Sequence, residues 1–123
     1  MRTRFLIIGL FALTTLSAMA DEAAFNSSTP AQRAAIQTQF MKERLKLPAD
    51  LLAKVQTINL KYAQQLDPIL KGSDGKLSKM QQSRAILAAK DAELQSILSP
   101  TQYAAYDAAK DEMKEALISR LGQ

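Results

Sequence analysis

The chain has 123 residues, enough for one domain, and carries 16 basic and 12 acidic side chains but neither histidine nor cysteine. The absence of cysteine excludes disulfides, thiol nucleophiles and thiolate metal sites, and the absence of histidine removes the commonest general base at neutral pH. These exclusions argue against the commonest kinds of active site.

The first twenty residues have the features of a secretory signal peptide. Arg2 and Arg4 form a positive end, residues 5–16 are uncharged and mainly apolar, and Ala18-Met19-Ala20 offers a small-residue cleavage site. The apolar run is too short to span a bilayer. We therefore expect residues 1–20 to be removed after Ala20, leaving an exported protein with no integral membrane association. Removal of the two arginines would lower the net charge from +4 to +2.

Residues 21–29 show no periodicity and are predicted to form a flexible N-terminal arm before a single helical domain over residues 30–121. Thr29-Pro30-Ala31-Gln32 predicts the start of the first helix, because it combines a hydroxyl cap, a proline at the first position and a glutamine that completes a capping box. This helix is expected to extend to about Lys46, since Pro48 disfavours a helical residue before it.

The second helix, from Pro48, has the clearest apolar pattern in the chain. Its apolar residues recur every three or four positions, at Leu51, Val55, Ile58, Tyr62, Leu66 and Ile69. Gly72 and Gly75 predict a turn at residues 71–75. A third helix over residues 77–98 has its own apolar stripe, formed by Leu77, Met80, Leu87, Leu94 and Ile97 or Leu98. The short connection makes the two long helices an antiparallel hairpin.

The segment Ser99-Pro100-Thr101-Gln102 repeats the capping pattern of the first helix and predicts a fourth. We expect this helix to continue to Leu121 with one apolar side, formed by Tyr103, Tyr106, Met113, Leu117 and Leu121. No segment has the alternation of a strand. The predicted fold class is all-α, with four helices and a long central antiparallel hairpin.

No combination of residues predicts a catalytic centre, a metal site or a cofactor. Asp107 and Asp111 share a helix face, but Lys110 and Lys114 are interleaved with them, which is typical of a solvated surface. The methionines lack the histidine or cysteine that soft-metal sites usually add. Packing in the core is the better interpretation of Met80 and Met113.

Basic residues concentrate in the first part of the domain and acidic residues in the last. The small net charge after cleavage argues against nucleic-acid binding. Lys54 and Lys61 share a face of the second helix, so a basic and apolar protein-binding surface is one interpretation and a plain solvated face is the other. The candidate surface comprises Lys42, Lys46, Lys54, Lys61 and Tyr62. For the tyrosines themselves, packing in the core or in a dimer is favoured over an exposed aromatic site.

The order of these segments resembles the LTXXQ-motif family of Spy- and CpxP-like periplasmic proteins. Leu98-Ser99-Pro100-Thr101-Gln102 matches the signature Leu-Thr-x-x-Gln with serine in place of threonine, and residues 47–51 keep only the leading leucine of a first copy. Leu98, Ser99, Pro100 and Gln102 are therefore the motif residues, with a structural capping role.

The resemblance implies a cradle-like antiparallel homodimer in the periplasm. It also implies ATP-independent, chaperone-like capture of unfolded or stress-damaged proteins. The alternative function is that of a regulatory partner of an envelope stress sensor, without general chaperone activity. Metal sensing does not follow, because the metal-binding members of the family use histidines that this sequence lacks.

Overall fold

The computed structural model describes residues 23–122, and every regular element among them is an α-helix. Residues 23–27 are helical and are labelled α1. The helices that follow are α2 (Pro30–Leu45), α3 (Ala49–Leu70), α4 (Lys76–Ile97), α5 (Pro100–Ala108) and α6 (Lys110–Leu121). The all-α class is as predicted. The expected signal peptide and its cleavage site lie outside the described residues.

Both capping boxes expected from the sequence are present. The Gln32 backbone N–H donates to Thr29 Oγ1 over 3.1 Å, and the Thr29 N–H donates to Gln32 Oε1 over 2.9 Å. The same pair of bonds joins Ser99 and Gln102 at 3.1 and 2.9 Å. Because each box satisfies N–H groups that the first turn of a helix leaves unpaired, it fixes where α2 and α5 begin.

The turn between α2 and α3 is held by a left-handed residue. Lys46 has φ 53° and ψ 54°, and its N–H donates to Lys42 O over 3.0 Å. Leu47 is buried immediately after it, and Pro48 then precedes the first residue of α3. The chain thereby reverses direction within three residues, so α2 and α3 pack as antiparallel neighbours.

Helix α2 is the centre of the packing. It contacts α3, α5 and α6, whereas α4 packs mainly along α3 and touches α5. Most of the apolar core lies between α2, the first two-thirds of α3 and the end of α4. Its members are Phe40, Met41, Leu47, Val55, Ile58, Tyr62, Leu94, Leu98, Tyr106, Ala109 and Met113.

The hairpin formed by α3 and α4 is longer than the helix that covers it. Arg33, in the first turn of α2, pairs with Asp67 of α3 over 2.7 Å, so α2 begins at the level of Asp67. No residue from 64 to 89 is buried, whereas Ala63 and Lys90 on either side of this stretch are. We call residues 67–87 the distal hairpin, and residues 49–66 with residues 88–98 the proximal hairpin.

Two local features differ from the sequence predictions. The expected fourth helix is divided at Ala109, whose φ and ψ are −96° and 3° and whose N–H is shared between the carbonyls of Ala105 and Tyr106. No glycine or proline marks this position. The division lets α6 lie against α2, where Arg44 pairs with Glu112. The second difference is that residues 23–27 of the expected arm are helical.

Candidate protein-binding site

The distal hairpin exposes three large apolar side chains on one face of α4. Leu77, Met80 and Leu87 are 69%, 54% and 42% exposed. With Arg84 they are spaced three, four and three residues apart, which places all four side chains on one helix face. We call Leu77, Met80, Arg84 and Leu87 the distal strip. The expectation that Met80 packs in the core is not met within one copy of the chain.

The distal strip is the uncovered half of a longer stripe. The same spacing continues through Asp91 to Leu94 and Leu98, which are 0% and 6% exposed. These proximal residues are covered because α5 packs against the end of α4 and α6 brings Lys110 to Asp91, whereas no residue from 77 to 89 of α4 is buried. One continuous helix face is therefore core at one end and surface at the other.

Arg84 has no acidic partner among the described residues. Its one hydrogen-bond contact with a described residue is to Met80 Sδ, 4.0 Å from Nη2. Asp74, the acidic residue of the turn, accepts a hydrogen bond from Gln82 over 2.8 Å. Arg84 thus contributes a positive charge in the middle of an exposed apolar strip.

The structure corrects the position of Tyr62 in the predicted binding surface. Tyr62 is buried, and its hydroxyl donates to Glu93 Oε2 over 2.6 Å. Lys61 Nζ donates to the same oxygen over 2.8 Å. Hydrogen bonds from Lys61 and Tyr62 lower the pKa of Glu93, and the bond to Glu93 raises the pKa of Tyr62. Through these bonds Lys61 and Tyr62 join α3 to α4. Tyr62 is buried because the apolar seam that contains it faces the core.

The other three predicted residues lie at the opposite end of the hairpin from the distal strip. Lys42 and Lys46 are at the end of α2, and Lys54 is in the second turn of α3. All three are exposed, and no ion pair joins any of them to a described residue. Their position separates the predicted basic surface from the exposed apolar side chains. Sequence periodicity located the apolar stripe of α4 but not the part of it that stays uncovered.

A buried lysine ties the hairpin to α2. Lys90 is 3% exposed, and its Nζ donates to Gln37 Oε1 over 3.2 Å. This is the one side-chain hydrogen bond between α2 and α4 in the described part of the chain. Burial lowers the pKa of Lys90 to about 8, and the nearby positive charge of Lys110 acts in the same direction.

Polar contacts also fix α5 and α6 against α4. Tyr106 is buried and donates its hydroxyl proton to Asp91 Oδ1 over 2.8 Å, while Lys110 pairs with Oδ2 of the same carboxylate. Burial and the bond to Asp91 raise the pKa of Tyr106, so the phenol stays neutral at physiological pH. These groups are engaged with one another, which indicates a structural role.

Hollows among the described residues are shallow, and no group of these residues is placed to hold a metal ion. One of them, between α1, α2 and the end of α6, has a volume of about 450 Å³ and is open to solvent. Within the same residues, no helix combines the length and the apolar character that crossing a membrane requires. The distal strip is therefore the most distinctive surface feature.

The fold and this strip define an all-helical protein with an uncovered apolar and basic face. Residues 18–106 match the family described as a domain of unknown function (DUF4890), so the chain belongs to that family. The match includes the whole α3–α4 hairpin and ends within α5. The comparison with curated proteins found no match, and the comparison with solved structures found none either.

Proposed function

We propose that this protein is exported to the periplasm and captures partly unfolded proteins without ATP, in the manner of a chaperone. The observation that carries the proposal is the distal strip, where Leu77, Met80 and Leu87 are exposed together on one helix face. Contiguous exposed apolar side chains on a small protein mark an interaction site more often than scattered ones do. The strip lies on the part of the hairpin that no other described helix covers.

Capture on one strip would be weak and reversible. Full burial of an aliphatic side chain contributes roughly 1.5–3 kcal/mol, and these three side chains are already partly covered. Association itself opposes binding by at least about 4 kcal/mol, so little net affinity remains for a single strip. Two strips in one assembly would bind an unfolded chain more tightly through avidity. This argument supports the proposal of a cradle-like homodimer, to which the LTXXQ resemblance also points.

An aggregation assay tests the proposal. The mature protein, at a stoichiometric ratio, is expected to slow light scattering by a chemically unfolded test client, with no nucleotide present. A variant with Leu77→Ser, Met80→Ser and Leu87→Ser should lose most of this effect. The matched control carries Ala85→Ser, Ala89→Ser and Ala92→Ser, three exposed positions on a different face of the same helix, and should retain it. Equal loss in both variants would refute a role for the strip.

Salt separates the two stages of capture. Because charge attracts the client and apolar contact retains it, added salt should slow the initial capture more than it speeds release. Wild-type protein that leaves client aggregation unchanged at both low and high salt would overturn the proposal. A pull-down from periplasmic extract that returns one stoichiometric partner would instead favour the regulatory role beside an envelope stress sensor.

A further inference from the structure

We infer that the distal strip selects segments in which a carboxylate lies between apolar side chains. The inference rests on the proposed function and specifies the chemistry of the client segment. Its structural basis is the position of Arg84, which lies between Met80 and Leu87 on the strip and has no acidic partner among the described residues.

A client that covers the strip also covers Arg84. The strip spans the ten residue steps from Leu77 to Leu87, or about 15 Å along α4. A segment that contacts both of these leucines passes close to the guanidinium, whose Nη2 lies 4.0 Å from Met80 Sδ. Removing a charged group from water without a partner is strongly unfavourable, whereas a carboxylate at the same position supplies a bidentate, charge-assisted pair. A wholly apolar segment therefore binds only part of the strip.

The groups around the strip reinforce this preference. Between residues 68 and 89 the hairpin carries four basic side chains and one acidic side chain, Asp74. Lys71 pairs with Asp67, and Lys79 Nζ donates to Leu70 O over 2.9 Å. Lys76 and Arg84 are the two cations of this region without an ion pair or hydrogen bond to an oxygen of a described residue. Both charges disfavour a basic segment at the strip.

The proximal end of the same stripe shows how a covered charge is accommodated. Asp91 lies on the stripe seven residues after Arg84, and the helices that cover it bring Lys110 and Tyr106 to its carboxylate. Where other helices cover this charged residue, they supply a group of opposite charge, Lys110, and a hydrogen-bond donor, Tyr106. The expected client supplies to Arg84 what α5 and α6 supply to Asp91.

Three fluorescent peptides test the inference by direct titration. They share one amphipathic sequence with apolar residues one turn on either side of a central residue, which is Glu, Gln or Lys. Wild-type protein should bind the Glu peptide at least tenfold more tightly than the Lys peptide, with the Gln peptide between them. Arg84→Gln should remove the difference between Glu and Gln, and Arg84→Glu should reverse the preference. Arg84 is exposed, so both variants are expected to fold, as circular dichroism would verify.

The outcomes separate this inference from the proposed function. Equal binding of all three peptides would overturn the carboxylate preference while leaving client capture intact. The preference is likewise overturned if no peptide binds but the aggregation assay still shows protection that depends on the strip. If neither peptide binding nor protection is observed, both proposals fail together. Peptide binding that disappears as protein concentration rises would identify a second copy of the chain as the occupant, and would also overturn the inference.

Discussion

The proximal and distal hairpins belong to the same two helices, but they differ in what covers them. In the proximal hairpin, Val55 and Leu94 are fully buried beneath neighbouring helices. In the distal hairpin, the apolar face of α4 continues with the same spacing and remains exposed. The difference comes from where α5 and α6 pack against α4, which is near its C-terminal end, and not from any change in the apolar pattern. A regular pattern can therefore provide stability at one end and a binding surface at the other.

The largest expected difference in the free energy of unfolding is between substitutions of Leu94, in the proximal hairpin, and of Leu87, in the distal hairpin. Leu94→Ala leaves a cavity in the core and should lower the free energy of unfolding by about 3 kcal/mol. Leu87→Ala removes a side chain that is 42% exposed and should change it by about 0.5 kcal/mol. Urea denaturation measures both. Similar losses in the two variants would mean that the distal hairpin is covered in solution.

A second contrast concerns Asp67 and Asp74. The Arg33 guanidinium is buried and pairs with Asp67, so Asp67→Asn leaves that charge without its partner and should lower the free energy of unfolding by about 2 kcal/mol. Asp74→Asn, in the exposed turn, should have an effect within about 0.5 kcal/mol. Denaturation at pH 7 compares them, and an unaffected Asp67→Asn variant would show that α2 is not fixed at this level.

The lowered pKa of Lys90 leads us to expect that the stability of the fold depends on pH. Its pKa is about 8 in the folded chain against 10.5 as the ordinary value, so above pH 8 the unfolded chain binds more protons than the folded chain. The free energy of unfolding should therefore rise between pH 7 and pH 9, by about 1 kcal/mol. Lys90→Met should be more stable than wild type at pH 7 and should lose this rise.

The matched control for Lys90 is Lys76→Met, because Lys76 is exposed at the start of α4. This variant should keep the wild-type dependence on pH. The packed elements carry other titratable groups: Asp91 and Lys110 act on Lys90 directly, while Arg33, Lys61, Glu93, Asp67, Tyr106 and Asp107 are engaged in other pairs. A rise that persists in Lys90→Met would assign the effect to one of these groups.

The smallest expected difference in the free energy of unfolding is between Ser99→Ala and Ser73→Ala, at opposite ends of α4. Ser99→Ala removes the hydroxyl that caps α5 and should lower the free energy of unfolding by about 1 kcal/mol. Ser73→Ala, in the exposed distal turn, should change it by less than about 0.5 kcal/mol. Thermal denaturation followed by circular dichroism resolves this difference. Equal midpoints would show that the second capping box does not determine where α5 begins.

Local signals in the sequence predicted the parts of the fold that depend on neighbouring residues. The capping boxes at Thr29 and Ser99, the turn at Gly72–Gly75 and the antiparallel hairpin follow from residues close together in the chain. The division at Ala109 could not be predicted in this way, because it depends on how α6 packs against α2. Burial of Lys90 was likewise not indicated, since lysine is rarely buried and its amide partner, Gln37, is 53 residues away.

The position of the binding surface could not be predicted from local sequence signals either. The spacing from Leu77 to Leu98 predicted one apolar stripe, but a stripe alone does not say how far the covering helix extends. Tyr62 belongs to the buried middle of its seam, with Val55 and Ile58, so it lies in the core and not on a binding surface. Which part of the stripe stays exposed depends on where α5 and α6 pack against α4, at the contacts of Tyr106 and Lys110 with Asp91, and no local pattern encodes that position.

Hydrogen exchange of the mature protein, with and without a saturating unfolded client, tests the central claim most directly. The account predicts new protection confined to the distal part of α4, over residues 77–87, with unchanged exchange in the proximal hairpin. Protection that appears at the Lys42, Lys46 and Lys54 end, or none at all on α4, would contradict the assignment of the distal strip as the binding surface.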